Sequence, residues 1–147
     1  MNYILLKHQC KQGLIKMKYT HEQEIPRLKR ERKTMELMIR IYCTGQHDDT
    51  GRHLKTIHTG SKSIKLCSEC ECLYNYACEQ LIACPLRDEK PSCQNCMIHC
   101  YKPEMKENIR TVMRYAGPRM FYRHPILSLM HYLDNRNDKE VEKEIAA

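Results

Sequence analysis

The stretch Cys67-Ser-Glu-Cys70-Glu-Cys72-Leu-Tyr-Asn-Tyr-Ala77-Cys78-Glu-Gln-Leu-Ile-Ala83-Cys84-Pro85 carries a helix and a set of metal ligands in the same residues. Leu73, Tyr76, Ala77 and Leu81 recur at helical spacing and make one apolar face. Ser68-x-x-Glu71 has the form of a capping box, and Pro85 forces the chain out of the helical region just before it. The reading predicts a helix from about Glu69 to Ala83. Cys70 and Cys84 then lie 14 residues apart at its two ends, a span of roughly 21 Å at about 1.5 Å per residue. Metal–sulfur bonds are only about 2.3 Å long. The two cysteines cannot serve one metal across an intact helix, so the ligands divide into two groups.

Working outward, the chain holds ten cysteines, and seven of them form the pattern Cys43, Cys67-x2-Cys70, Cys84, Cys93-x2-Cys96-x3-Cys100. The first group joins Cys67 and Cys70 to Cys43 and His47, a three-Cys, one-His set that suits tetrahedral zinc. The second joins Cys84, Cys93, Cys96 and Cys100, a four-thiolate set that suits zinc or a four-iron cluster. The Cys-x2-Cys-x3-Cys run has the ferredoxin style, but the upstream Cys-x2 is missing and Tyr101 rather than Pro follows it. A rival pairing sets Cys67 and Cys70 against Cys93 and Cys96, as in a zinc ribbon. The Pro85–Ser92 linker stretches about 26 Å when extended, which permits it. Cys10, Cys72 and Cys78 read as small buried hydrophobes. His99 reads as lying beside the ligands, and His53 and His58 as loop surface.

The flanks read as helix too. Pro26 suits a first helical position, and Leu28, Met35, Met38, Ile39 and Tyr42 mark an apolar face on a helix from about Pro26 to Tyr42. Arg27, Lys29, Arg30, Arg32 and Lys33 fall mostly on its solvated side. Residues 44–66 are rich in turn formers and read as a loop. Residues 85–101 read as irregular. A third helix begins at Pro103, with Met105, Ile109, Val112 and Met113 inward, and Gly117-Pro118 reads as its stop. A fourth, short helix is expected from Pro125 to Leu133. Residues 1–19 read as a loose extension, residues 20–133 as one Cys-rich helical domain, and residues 134–147 as a charged, frayed tail. Gln12-Gly13 can be encoded as a ribosome-binding sequence upstream of Met17, which makes Met17 an alternative start; intact mass of the native protein decides that.

With 147 residues and 29% charged side chains, and a mean hydropathy of −0.69, the chain has material for one modest core, and metal is one way to staple it. No run of residues has the length of a signal h-region or a membrane span. The expectation is a cytoplasmic protein without membrane partners, and in a reducing compartment clustered cysteines hold metal rather than pair. The net charge of +7 is uneven: residues 1–66 carry 14 basic and 6 acidic side chains, residues 67–100 carry 2 and 5, and residues 101–147 carry 9 and 7. Lys102, Lys106, Arg110 and Arg114 recur every four residues and form one cationic stripe on a helix. Arg119 and Arg123 follow, interleaved with Tyr115, Phe121 and Tyr122. That surface suits a polyanion, either a nucleic acid or an acidic protein, or is simply solvated. Nucleotide-binding and hydrolase motifs are absent, so no nucleotide cofactor and no catalytic residue is assigned.

The run Cys93-Gln-Asn-Cys-Met-Ile-His-Cys-Tyr-Lys-Pro103, with Val112-Met-Arg-Tyr-Ala-Gly-Pro-Arg-Met120 and Arg123-His-Pro125, resembles the nitrous oxide-stimulated promoter family, the YgbA-like bacterial proteins. The resemblance extends from about Ile25 to Leu133 and takes in Arg27-Leu-Lys-Arg-Glu31, Ile41-Tyr-Cys43, Leu66-Cys-Ser-Glu-Cys70 and Cys84-Pro85. The family cysteines fall on Cys43, Cys67, Cys70, Cys84, Cys93, Cys96 and Cys100. The resemblance implies a small bacterial cytosolic protein made under nitrosative stress, and it implies no reaction.

Together these readings predict an all-α single domain of about four short helices stapled by Cys-rich metal sites. The leading function is a zinc- or iron–sulfur-thiolate accessory or sensor protein of the nitric oxide response. A nucleic-acid-binding module with structural zinc is the alternative, and a thiol- or cluster-based oxidoreductase is the third.

Overall fold

Four helices and one hairpin make up the computed structural model, which describes residues 26–47, 55–59, 62–84 and 100–145. In chain order they are α1 (Pro26–Gln46), β1 (Lys55–Thr59), β2 (Lys62–Leu66), α2 (Ser68–Ile82), α3 (Pro103–Arg123) and α4 (Pro125–Ile145). The chain is all-α in class, and its one sheet among the described residues is the β1–β2 pair.

Helix α1 is the centre of the molecule and touches α2, α3, α4 and β2. Its buried residues are Leu28, Thr34, Met35, Glu36, Leu37, Ile39, Ile41 and Cys43, which is more than a single stripe. The reason is that α1 is packed on two sides. On one, Met35, Ile39 and Cys43 join Ile64, Leu66, Leu73, Ala77, Met105, Ile109 and Val112 in the main core. On the other, Leu37 and Ile41 meet Ala116 and Met120 of α3, with Leu127 of α4 against them. The expected single face of α1 missed this second stripe. Ile39 and Leu66 are wholly buried, each contributing roughly 1.5–3 kcal/mol of transfer free energy.

Several boundaries differ from expectation. Residues 44–66 are not a plain loop: α1 runs on to Gln46, and Lys55–Leu66 closes an antiparallel ladder in which Ile57 faces Ile64. Ile64 and Leu66 alternate inward between exposed Ser63 and Lys65, which is the period of a half-buried strand. The N-cap of α2 is Cys67, in extended conformation and without a side-chain cap bond, so Ser68 does not form the expected capping box.

Helix α3 does not stop at Gly117-Pro118 but carries Pro118 inside it and ends at Arg123. Pro118 removes the N–H that would meet the carbonyl of Arg114. The Arg119 guanidinium donates to the Tyr115 carbonyl oxygen at 2.7 Å in that turn. Burial of Ala116 and Met120 on either side holds the helix together. Helix α4 continues past Leu133 to Ile145, and the Arg30–Asp134 ion pair at 3.3 Å ties it to α1. Residues 1–19, the segment 85–99 and the tip of the expected loop lie outside the described residues.

Candidate metal centre

The last turn of α1, the end of β2 and the first turn of α2 meet at one point. Cys43 and His47 are four residues apart, so helical geometry sets them above one another. Strand β2 delivers Cys67 to the mouth of α2, and Cys70 follows one turn on. The Sγ atoms of Cys43, Cys67 and Cys70 and a ring nitrogen of His47 all lie within 4.8 Å of one another. His47 Nδ1 is 3.2 Å from Cys67 Sγ and 3.3 Å from Cys70 Sγ. The Cys67 backbone N–H donates to Cys43 Sγ at 3.4 Å. The three cysteines are free thiols.

This donor set fits a metal ion. A tetrahedron with Zn–S of about 2.3 Å and Zn–N of about 2.0 Å separates its corners by roughly 3.5–3.8 Å, close to the spacings here. Three sulfurs and an imidazole nitrogen are the chemistry of a closed zinc site. Cys43, Cys67 and Cys70 are 2–3% exposed and belong to the main core, so the centre sits inside the hydrophobic packing.

The sulfurs share charge unevenly. Hydrogen bonds from Cys43 first and Cys70 second hold the Cys67 thiol far below the ordinary cysteine range. Cys70 is driven well above that range by its hydrogen bonds to Cys43 and Cys67 and by burial. Cys43 is raised chiefly by its hydrogen bond to Cys67. The negative charge therefore settles on Cys67, at the N-terminus of α2, where the helix dipole favours it.

Two surrounding features were not anticipated. Glu69, inside the Cys67-x2-Cys70 motif, places Oε2 3.9 Å from His47 Nε2. With Nδ1 turned to the sulfurs, the carboxylate stands where the partner of a metal-bound histidine stands. The only signal for it is its position in the first turn of α2. The second feature is a stack of rings: Tyr42 meets His47 edge-on at 5.3 Å and Tyr115 edge-on at 5.7 Å, and Arg119 lies 3.7 Å over the Tyr115 ring. Tyr115 reaches the end of α1 because residue 45 is glycine; a Cβ there would lie 2.0 Å from the Tyr115 hydroxyl.

Of the second expected ligand set, Cys84 is a half-buried free thiol and Cys100 an exposed one. Cys93, Cys96 and His99 lie outside the described residues. Cys72 is buried as expected, but its sulfur is disulfide-bonded rather than a free thiol. Cys78 is half-buried, and its thiol bonds the Tyr74 hydroxyl, which burial pushes above the ordinary tyrosine range.

Lys102, Arg110, Arg114, Arg119 and Arg123 are exposed along α3, and Lys106 is half-buried. The stripe is partly neutralised, since Glu107 lies 3.7 Å from Arg110 and 3.6 Å from Arg114. Among the described residues no helix is long and apolar enough to cross a membrane.

Residues 26–144, from α1 almost to the end of α4, match the family described as "nitrous oxide-stimulated promoter". The chain belongs to that family. It is 46% identical over 66 residues to the Escherichia coli (strain K12) protein named "Uncharacterized protein YgbA", an alignment covering 45% of this chain and 56% of the relative. The chain thus spans about half the length of the curated relative it matches. No solved structure matches.

Proposed function

We propose that this protein is a zinc–thiolate sensor or accessory protein of the bacterial nitric oxide response, with Cys43, His47, Cys67 and Cys70 holding the ion. The observation that carries the reading is the convergence of three core-buried sulfurs and the imidazole nitrogen of half-buried His47 within 4.8 Å. The family description supports the setting, and the donor chemistry supports the reactivity. A bound zinc ion would keep all three sulfurs as thiolates and lock α1, the hairpin and α2 together.

Burial of the sulfurs shields them from bulky thiols and leaves them to small molecules. Dinitrogen trioxide, formed from nitric oxide and oxygen, transfers nitrosonium to a thiolate: a sulfur–nitrogen bond forms and nitrite leaves with the electron pair. The product is a neutral S-nitrosothiol, a poor metal ligand, so the staple opens. In this reading Cys84, Cys93, Cys96 and Cys100 form a separate thiolate set.

The test is metal content and visible absorption of protein purified without oxygen, before and after a nitrosating donor. One or two zinc ions, released by the donor with loss of helical signal, support the reading. A broad band near roughly 400 nm with iron and sulfide would mark a cluster and replace zinc as the sensing group. Zinc that the donor leaves in place would refute the sensor role. Salt-dependent DNA or RNA binding, lost in Arg110→Glu/Arg114→Glu, would then favour the nucleic-acid module.

A further inference from the structure

Helix α4 is mounted with its apolar side outward. Ile126, Leu129, Met130 and Leu133 stand at helical spacing and are 81%, 55%, 39% and 41% exposed. Tyr132, Phe121 and Tyr122 extend the surface, the last two with their rings 5.9 Å apart in an edge contact. Of the large exposed apolar side chains among the described residues, Ile82 is the only one located elsewhere. The opposite side of α4 is mixed: Leu127 packs on the core, while His131 and Asp134, with Met130 at the edge between the two sides, line the seam with Arg30 and Thr34 of α1. A helix at the surface of a monomer turns its apolar stripe inward. Here the stripe faces water.

We propose that this face docks on the same face of a second copy, with the two α4 helices antiparallel about a two-fold axis. Two observations favour a second copy. The seven side chains expose on the order of 800 Å², the amount each partner buries in a standard interface and more than the largest patch of a typical monomer. No charged residue occurs from Ile126 to Leu133, so a polyanion finds nothing to bind there, whereas an uncharged apolar patch is self-complementary.

The test is sedimentation velocity on the full chain, purified with its metal, over roughly 1–100 μM. A concentration-dependent dimer is expected. Leu129→Glu should weaken it at least about tenfold, with helical content and metal content unchanged. Should Leu129→Glu fold poorly, Ile126→Ser at the most exposed position carries the same expectation. A monomer at every concentration would overturn the proposal, as would a dimer that survives both Leu129→Glu and Ile126→Ser. A monomer that instead binds anionic phospholipid vesicles would identify a lipid surface as the occupant and equally refute the dimer. Metal loss by itself does not bear on the proposal, which rests on α4 and not on the thiolate site.

Discussion

Cys67 follows β2 directly, caps α2 and is the one sulfur of the three held below the ordinary thiol range, so metal entry begins from one thiolate and two thiols. Cys43 and Cys70 are raised above the ordinary thiol range, and both must lose protons to ligate, while Cys67 has already lost its own. Binding of zinc to the metal-free protein near pH 7 should therefore release about two protons, and affinity should fall as pH is lowered. Calorimetry in buffers of different ionisation enthalpy counts the protons; release of none or of three would contradict the assignment. Gly45 is the second residue with a sharp consequence. Gly45→Ala puts a methyl group into the Tyr115 hydroxyl and should cost about 1–3 kcal/mol, as overpacking does. The loss should shrink in a Tyr115→Phe background, which removes the atom it meets first. Denaturant unfolding of the four variants in a double-mutant cycle measures the coupling.

At the scale of elements, α3 shows how packing overrules local preference. Gly117 and Pro118 are helix breakers side by side, yet the helix passes through them because Ala116 and Met120 are buried against α1 and α4. Gly117 is the residue before Pro118, where a side chain would meet the proline ring in helical conformation. A Cβ at that position finds open space away from its own turn, so the ring of Pro118 decides the outcome, and Gly117→Ala should forfeit the roughly 0.5–1 kcal/mol that a glycine-to-alanine change gains at an ordinary helical position. An unchanged or lower midpoint in urea is the expected result; a midpoint raised by the full amount would mean that α3 relieves the crowding by bending at that residue. The hairpin is the converse case. Its strands are five residues each, too little for independent stability. Ile64 and Leu66 enter the main core, and the chain continues directly into Cys67. The packing of β2 and the metal ligand are consequences of the same short segment.

For the whole molecule, the thiolate centre is the joint between α1, the hairpin and α2. Structural zinc in small Cys/His sites contributes roughly 10–16 kcal/mol of apparent binding free energy, as much as the entire stability of a typical domain. In the proposed zinc-bound form, removing the ion with a high-affinity chelator should lower the melting temperature by tens of degrees or abolish the cooperative transition, and adding zinc back should restore it. Hydrogen exchange should then show loss of protection first in β2 and the opening turn of α2, while α3 retains protection through Ile109, Val112 and Ala116. Uniform loss everywhere would mean that the site and the core unfold as one unit.

Much of this was legible in the residues. The periodicity of Leu73, Ala77 and Leu81, and of Met105, Ile109 and Val112, defined α2 and α3, because apolar residues at that period have one stable arrangement against a core. The length of α2 set Cys70 apart from Cys84, and Cys43, His47, Cys67 and Cys70 come within 4.8 Å of one another, while Cys93 and Cys96 of the second expected group lie outside the described residues. What the sequence could not reveal depends on neighbours. The second buried stripe of α1 exists only because two layers pack on it. The continuation of α3 through Pro118 is decided by the burial of residues on both sides. Glu69 beside His47, Tyr115 beneath Gly45 and the outward apolar face of α4 join residues that lie far apart in the chain or on faces that local pattern does not orient. A linear pattern specifies which residues seek burial or metal, and the three-dimensional arrangement of the helices decides which of them find it and which are left facing a partner.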